Sequence, residues 1–96
     1  MIMHIVMWKL KEENKKENMN IMKKLLMELP PLIKEINHME VGKEINAGNS
    51  NYDIVMLSEF KSMDDLQKYQ EHPVHKKVGE YISTIRLERT CVDYEV

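Results

Sequence analysis

The chain has 96 residues, 43% hydrophobic and 31% charged, and its 14 basic and 16 acidic side chains leave a formal net charge of -2. A single domain over residues 1–96 accounts for that length, and the balance lacks the basic excess that draws a protein onto nucleic acid or an anionic membrane. No apolar run suits a transmembrane helix or a secretion signal, and the lone Cys91 cannot form an intrachain disulfide, so a cytoplasmic protein in a reducing compartment is the expectation.

Residues 2–9 form two alternating sets, Ile2, His4, Val6 and Trp8 against Met3, Ile5, Met7 and Lys9. Both are mostly apolar, which predicts a strand covered on both faces and central in its sheet. Asn14 stands three residues before Glu17, the spacing of a capping box, and marks a helix start. Met19, Met22, Leu25, Leu26 and Leu29 follow at helical spacing. Pro30-Pro31 cannot continue the pattern, so the helix should end near Glu28.

His38 to Asn46 alternates with Met39, Val41 and Ile45 opposite His38, Glu40 and Glu44, the single apolar face of an edge strand. The turn-rich Ala47-Gly48-Asn49-Ser50-Asn51 leads to a strand from Tyr52 to Phe60, in which Ile54, Met56 and Phe60 oppose Val55 and Leu57. Ser62 can cap the next helix, with Asp65 three positions on, and Met63, Leu66 and Tyr69 share a face. Pro73 disfavours a helical conformation at His72, so a break is expected there, with His72 as a cap or turn residue. Val74, Val78, Tyr81, Ile82 and Ile85 mark a further helical stripe, and Leu87 to Glu95 reads as the last strand.

Strand, helix, strand, strand, helix, strand is the α+β, ferredoxin-like βαββαβ order, with a four-stranded antiparallel sheet whose first and third strands are central. Those are the two strands that are apolar on both faces. Helices on one side leave the other apolar face bare. A second copy packed sheet to sheet, and hence a homodimer, is the simplest cover; at this length a lone chain buries only about 60–65% of its unfolded surface.

The chain resembles the stress-responsive A/B barrel domain family, often called Dabb, within the dimeric α/β barrels. The resemblance rests on Met3-His4-Ile5-Val6-Met7-Trp8-Lys9, on Tyr52-Asp53-Ile54-Val55-Met56-Leu57-Ser58-Glu59-Phe60, on Tyr69-Gln70-Glu71-His72-Pro73-Val74-His75, and on Val92-Asp93-Tyr94. It implies a homodimer whose two sheets form a central barrel. It also implies that His4, Val6 and Trp8 face the helices and line a cavity; alternation alone leaves open which face is which. Much of the family has no assigned activity. A plant branch includes a cofactor-free polyketide cyclase that uses a Tyr and the second His of the Tyr-x-x-His-Pro-x-His segment, which correspond to Tyr69 and His75.

Weighed by their own chemistry, Tyr69 is either a packing ring or a phenol that donates to a substrate carbonyl. His75 is either a helix-start histidine or a general base. His4 is a satisfied core residue or a second polar group in the pocket. His72 and His75, three apart with Glu71 adjacent, offer metal ligands by type, but no Cys-x-x-Cys or His-Glu-x-x-His pattern supports them and the expected helix break leaves their mutual direction open. Some members of the family hold a divalent ion, yet no ligand set matches residue by residue, so no metal site is assigned. Cys91 has no activating sequence neighbours and reads as a small strand residue. The nine methionines fall on apolar stripes and fill the core, and those near a cavity, such as Met56, make an adaptable wall.

Three functions follow. The first is a homodimer binding a small apolar or aromatic carbonyl compound between sheet and helices, through His4, Val6, Trp8 and Met56, without a cofactor. The second is a cofactor-free cyclase or isomerase with His75 as base and Tyr69 as hydrogen-bond donor. The third is a structural or protective dimer with no ligand chemistry. No nucleic acid or membrane partner is expected.

Overall fold

β1 (Ile2–Leu10) lies between two antiparallel neighbours, β3 (Ile54–Phe60) and β4 (Arg86–Glu95), and β2 (His38–Lys43) pairs with the far side of β3. The sheet order is therefore β2-β3-β1-β4, with the two doubly apolar strands in the middle. This is the ferredoxin-like topology. The computed structural model describes residues 1–46 and 50–96; part of the turn expected at 47–51 lies outside the described residues.

α1 (Lys15–Met27), α2 (Met63–Glu71) and α3 (Pro73–Ile85) pack on one face of the sheet. Ile2, His4, Val6, Trp8 and Leu10 are all buried on that face, while Met3, Ile5, Met7 and Lys9 are not. Ile54, Met56, Ser58 and Phe60 of β3 join them, as do Met39 and Val41 of β2, Met22 and Leu26 of α1, Leu66 and Tyr69 of α2, and Val78, Ile82 and Ile85 of α3. The opposite face is bare. There Met3 pairs with Tyr94, Ile5 lies between Leu57 and Val92, and Met7 is beside Val55; Met7, Val55, Val92 and Tyr94 are exposed.

Four expectations need correcting. Asn14 precedes α1, but its φ of 54° is left-handed and its side chain caps nothing, so the capping box does not form; an N-cap that accepts from the first turn needs extended backbone. Asn tolerates the left-handed region, and its carbonyl still accepts from Asn18 N at 2.9 Å. β2 stops at Lys43 instead of Asn46, and Ile45 is 97% exposed, not on the inner face. β3 begins at Ile54 instead of Tyr52, because Asp53 turns inward: its Oδ2 accepts from Leu10 N at 2.7 Å and its amide donates to Trp8 O at 2.9 Å. β4 starts one residue early, at Arg86.

Candidate functional site

The break between α2 and α3 falls at His72, whose backbone is extended (φ -65°, ψ 135°). Its Nδ1 accepts from Val74 N at 3.1 Å, and Pro73 at the first helical position needs no donor there. Ser62 similarly caps α2, its hydroxyl accepting from Asp65 N at 3.1 Å. Tyr69 therefore sits in the last turn of one helix and His75 in the first turn of the next. Their ring centroids are 4.4 Å apart, and that of Phe60 lies 5.0 Å from Tyr69.

Between these rings, the sheet and α3 is a pocket of about 200 Å³. All six residues singled out from the sequence, His4, Val6, Trp8, Met56, Tyr69 and His75, line it, together with Val78, Gly79 and Ile82 of α3 and Arg86 and Arg89 of β4. Gly79 helps to leave the space open: a Cβ there would meet nothing within 4 Å. The walls are mostly aliphatic and aromatic, with the titratable groups converging from different elements, the usual build of a small-molecule site. A wider groove of about 610 Å³ lies at the β2–β3 end of the bare sheet face, lined in part by Met7, Gly42 and Val55. Its lining contains no histidine or cysteine, and Met7 and Val55 in it belong to the uncovered face.

Tyr69 is fully buried, and among the described residues its hydroxyl donates only to the Met56 Sδ, 3.7 Å away. A thioether is a weak acceptor, so the proton of this hydroxyl is free to turn to a better oxygen. Burial pushes the phenol pKa well above its ordinary value, with the Arg89 charge opposing, so the group is a donor and not an anion. His75 is half-buried and its Nδ1 lies 3.1 Å from the Gln70 carbonyl. A carbonyl only accepts, so Nδ1 carries the hydrogen and Nε2 keeps the lone pair. Burial lowers the His75 pKa; the Gln70 carbonyl opposes this, while His4, Arg89 and His72 add to the lowering. The imidazole is thus neutral and basic at Nε2 near pH 7.

His4 is 2% exposed, and its Nδ1 donates to Asp93 Oδ1 at 2.5 Å, which fixes its tautomer. Cys91 Sγ lies 3.6 Å from the same nitrogen and 3.7 Å from Asp93 Oδ1. Both groups approach one nitrogen, so His4 cannot relay a proton between them as the imidazole of a nucleophile triad does. Burial, then the Asp93 charge, pushes the Cys91 thiol pKa up, which keeps it protonated. Among the described residues, His4, Cys91 and Asp93 are the trio whose donor atoms, all within 4.8 Å, could meet on a metal ion. Two oxygen or nitrogen donors on one tetrahedral zinc stand about 3.3 Å apart, so the 2.5 Å contact would have to open first. As it stands, this is a hydrogen-bonded cluster.

Asp93, Arg86 and Arg89 were not singled out from the sequence. Arg89, Cys91 and Asp93 alternate onto one face of β4, opposite Trp8, Val6 and His4, and that period-two pattern was the available signal. Charged residues on an exposed edge strand also look like ordinary solvation, which hid it.

Residues 2–96 match the model of the Stress Responsive A/B Barrel Domain, Dabb. A dimeric protein of unknown function with a ferredoxin-like fold from Bacteroides fragilis NCTC 9343 is 36% identical, over 99% of this chain and 95% of that one, with a TM-score of 0.91. A dimeric ferredoxin-like protein of unknown function from Thermobifida fusca is 22% identical over 99% and 90% of the two chains, TM-score 0.89. Hydroxynitrile lyase from Passiflora edulis is 13% identical over 99% and 92%, TM-score 0.87, a likeness of fold alone. No curated protein matches the chain.

Proposed function

We propose, for a chain that belongs to the stress-responsive A/B barrel domain family, that two copies pair through their bare sheet faces and that each holds a small apolar or aromatic carbonyl compound between sheet and helices. The observation that carries the ligand reading is the Tyr69 hydroxyl: fully buried, protonated, and given among the described residues only a thioether at 3.7 Å. A ligand carbonyl is a stronger acceptor for such a donor than the thioether. The volume sets the size, since about 200 Å³ is just above the roughly 150 Å³ of a cavity that admits benzene. A single-ring ketone fits that volume. Pairing is supported by the row of Met3, Ile5, Met7, Val55, Leu57, Val92 and Tyr94 on the uncovered face and by the description of the 36% identical relative as dimeric.

A second reading adds chemistry to the same site, and the fixed Nδ1–H of His75 favours it. Its Nε2 lone pair takes a proton from the carbon next to the bound carbonyl, the C–H electron pair moves into a C=C bond, and the carbonyl π pair moves onto oxygen. Tyr69 donates to the resulting enolate, and return of the proton at another position completes an isomerisation. No cofactor enters this balance.

The test is a titration with acetophenone and benzoylformate, following the imidazole NMR signals of wild type, His75→Gln and Gly79→Leu. Saturable shifts of the His75 signal are expected in wild type and their loss in Gly79→Leu, whose side chain fills the space beside a backbone that any residue can adopt. If neither probe binds by about 10 mM and His75 titrates as a free imidazole, the ligand reading falls and a protective dimer replaces it. Deuterium uptake at the benzylic carbon of phenylpyruvate, next to its ketone, fast with wild type and at background with His75→Gln, separates the enzyme from the binder.

A further inference from the structure

The pairing of β4 with β1 changes register near the start of β4. Trp8 pairs with Arg89 and Lys9 with Glu88, but Leu10 pairs with Arg86, so Leu87 is an extra residue on β4. Side chains of a regular strand alternate, and Arg86 and Arg89, three apart, would point to opposite faces. The bulge cancels that difference. Arg86 comes opposite Leu10 and Arg89 opposite Trp8, both on the helix side of the sheet, and both arginines reach the pocket. Re-aiming a side chain next to a site is a recurrent use of bulges.

The charge around this pocket is one-sided. Its titratable lining consists of the two arginines, His4, His75 and Tyr69, with no carboxylate, in a chain that has more acidic than basic residues. The adjacent carboxylate, Asp93, is bonded to His4 and opens into a separate groove beside Leu66 and Gln70. Among the described residues, the ion pairs involve neither Arg86 nor Arg89. Arg89 also acts on the interior, opposing the effect of burial at Tyr69 and adding to it at His75.

We infer that the pocket is an anion site, and that its occupant is a small carbonyl compound carrying a carboxylate, which the bulge-aligned Arg86 and Arg89 hold at the rim. This rests on the carbonyl-pocket reading and narrows it to aromatic oxo acids and molecules of like size. Two guanidinium forks match a carboxylate in shape and charge, and the apolar walls take the rest of the molecule.

The experiment compares benzoylformate with benzoylformamide, its neutral near-isostere, by calorimetric titration of wild type and of the Arg86→Gln, Arg89→Gln double variant. Both arginines are exposed, so the variant keeps the fold, which thermal unfolding checks. The acid is expected to bind wild type at least about tenfold tighter than the amide, with the preference weakening as salt is raised and vanishing in the double variant. Equal binding of acid and amide to wild type, or a full preference surviving in the double variant, overturns the anion site and leaves the carbonyl pocket standing. Failure of both probes to bind overturns the anion site, and with acetophenone silent as well it overturns the carbonyl pocket.

Discussion

Replacing Tyr69 by Phe separates what the ring does from what the hydroxyl does. The ring is 0% exposed and packs on Phe60 at 5.0 Å and His75 at 4.4 Å; Phe keeps all of that packing. The hydroxyl makes one hydrogen bond, to a sulfur at 3.7 Å. An ordinary neutral hydrogen bond nets about 0.5–1.5 kcal/mol, and a weak acceptor belongs at the low end. Against this loss stands the cost of keeping a poorly satisfied hydroxyl away from water, which Phe does not incur. The two nearly cancel, so Tyr69→Phe should change stability by less than about 1 kcal/mol, or less than about 8 °C in Tm for a chain of this size. Tyr69→Ala, which empties the site, should cost about 3–5 kcal/mol. Affinity for benzoylformate should nevertheless fall about three- to tenfold in the Phe variant, the worth of one neutral hydrogen bond. Thermal unfolding and calorimetry on the same samples decide it. A loss of more than about 2 kcal/mol in stability with unchanged affinity would show that the hydroxyl braces the core, and the donor argument would be wrong.

Burial lowers the His75 pKa from its ordinary 6.5, so below that value the unfolded chain binds more protons than the folded one. The His75 contribution to stability is complete above pH 6.5 and is lost as pH falls through the lowered folded value; unfolding in denaturant at a series of pH values should show a slope in that window that flattens in His75→Gln, and an unchanged slope would refute the assignment. Val92 is 54% exposed opposite Ile5 on the bare sheet face. Val92→Asp should leave the chain folded but convert the dimer to a monomer at micromolar concentration, since an interface needs about 1,000 Å² of complementary surface and does not tolerate an unpaired charge at its core; sedimentation of a folded wild-type monomer would contradict the pairing outright.

Much of this architecture was legible in the residues. The two strands apolar on both faces are the two central ones, and Pro73 places the helix break where the structure has it. Hydrophobic period and proline chemistry are local properties, and local patterns read them. The misjudged ends arose where a distant group intervened: Asp53 leaves its strand to close the end of β1, and no local pattern around Tyr52 reports that bond. Asn14 has the right residue type for a cap but the wrong backbone. In the pocket, Tyr69 and His75 are legible through a motif, whereas the role of Asp93 beside it depends on a contact with His4 across 89 positions. Arg86 was illegible for a sharper reason: alternation places it on the opposite face from Arg89, and only the inserted Leu87 reverses that.

The interruption at His72 has a geometric consequence for the two rings. Along an unbroken helix, residues six apart are separated by about 9 Å of rise and about 120° of rotation, so Tyr69 and His75 would look out in different directions and could not share a ligand. Bending the chain at one extended residue cancels the rotation and folds the rise back, bringing the ring centroids to 4.4 Å. The number of residues between the two rings is therefore a fixed dimension of the site. A one-residue insertion or deletion between Tyr69 and His75 that spares His72 and Pro73 would swing one ring away from the other while leaving the break itself in place.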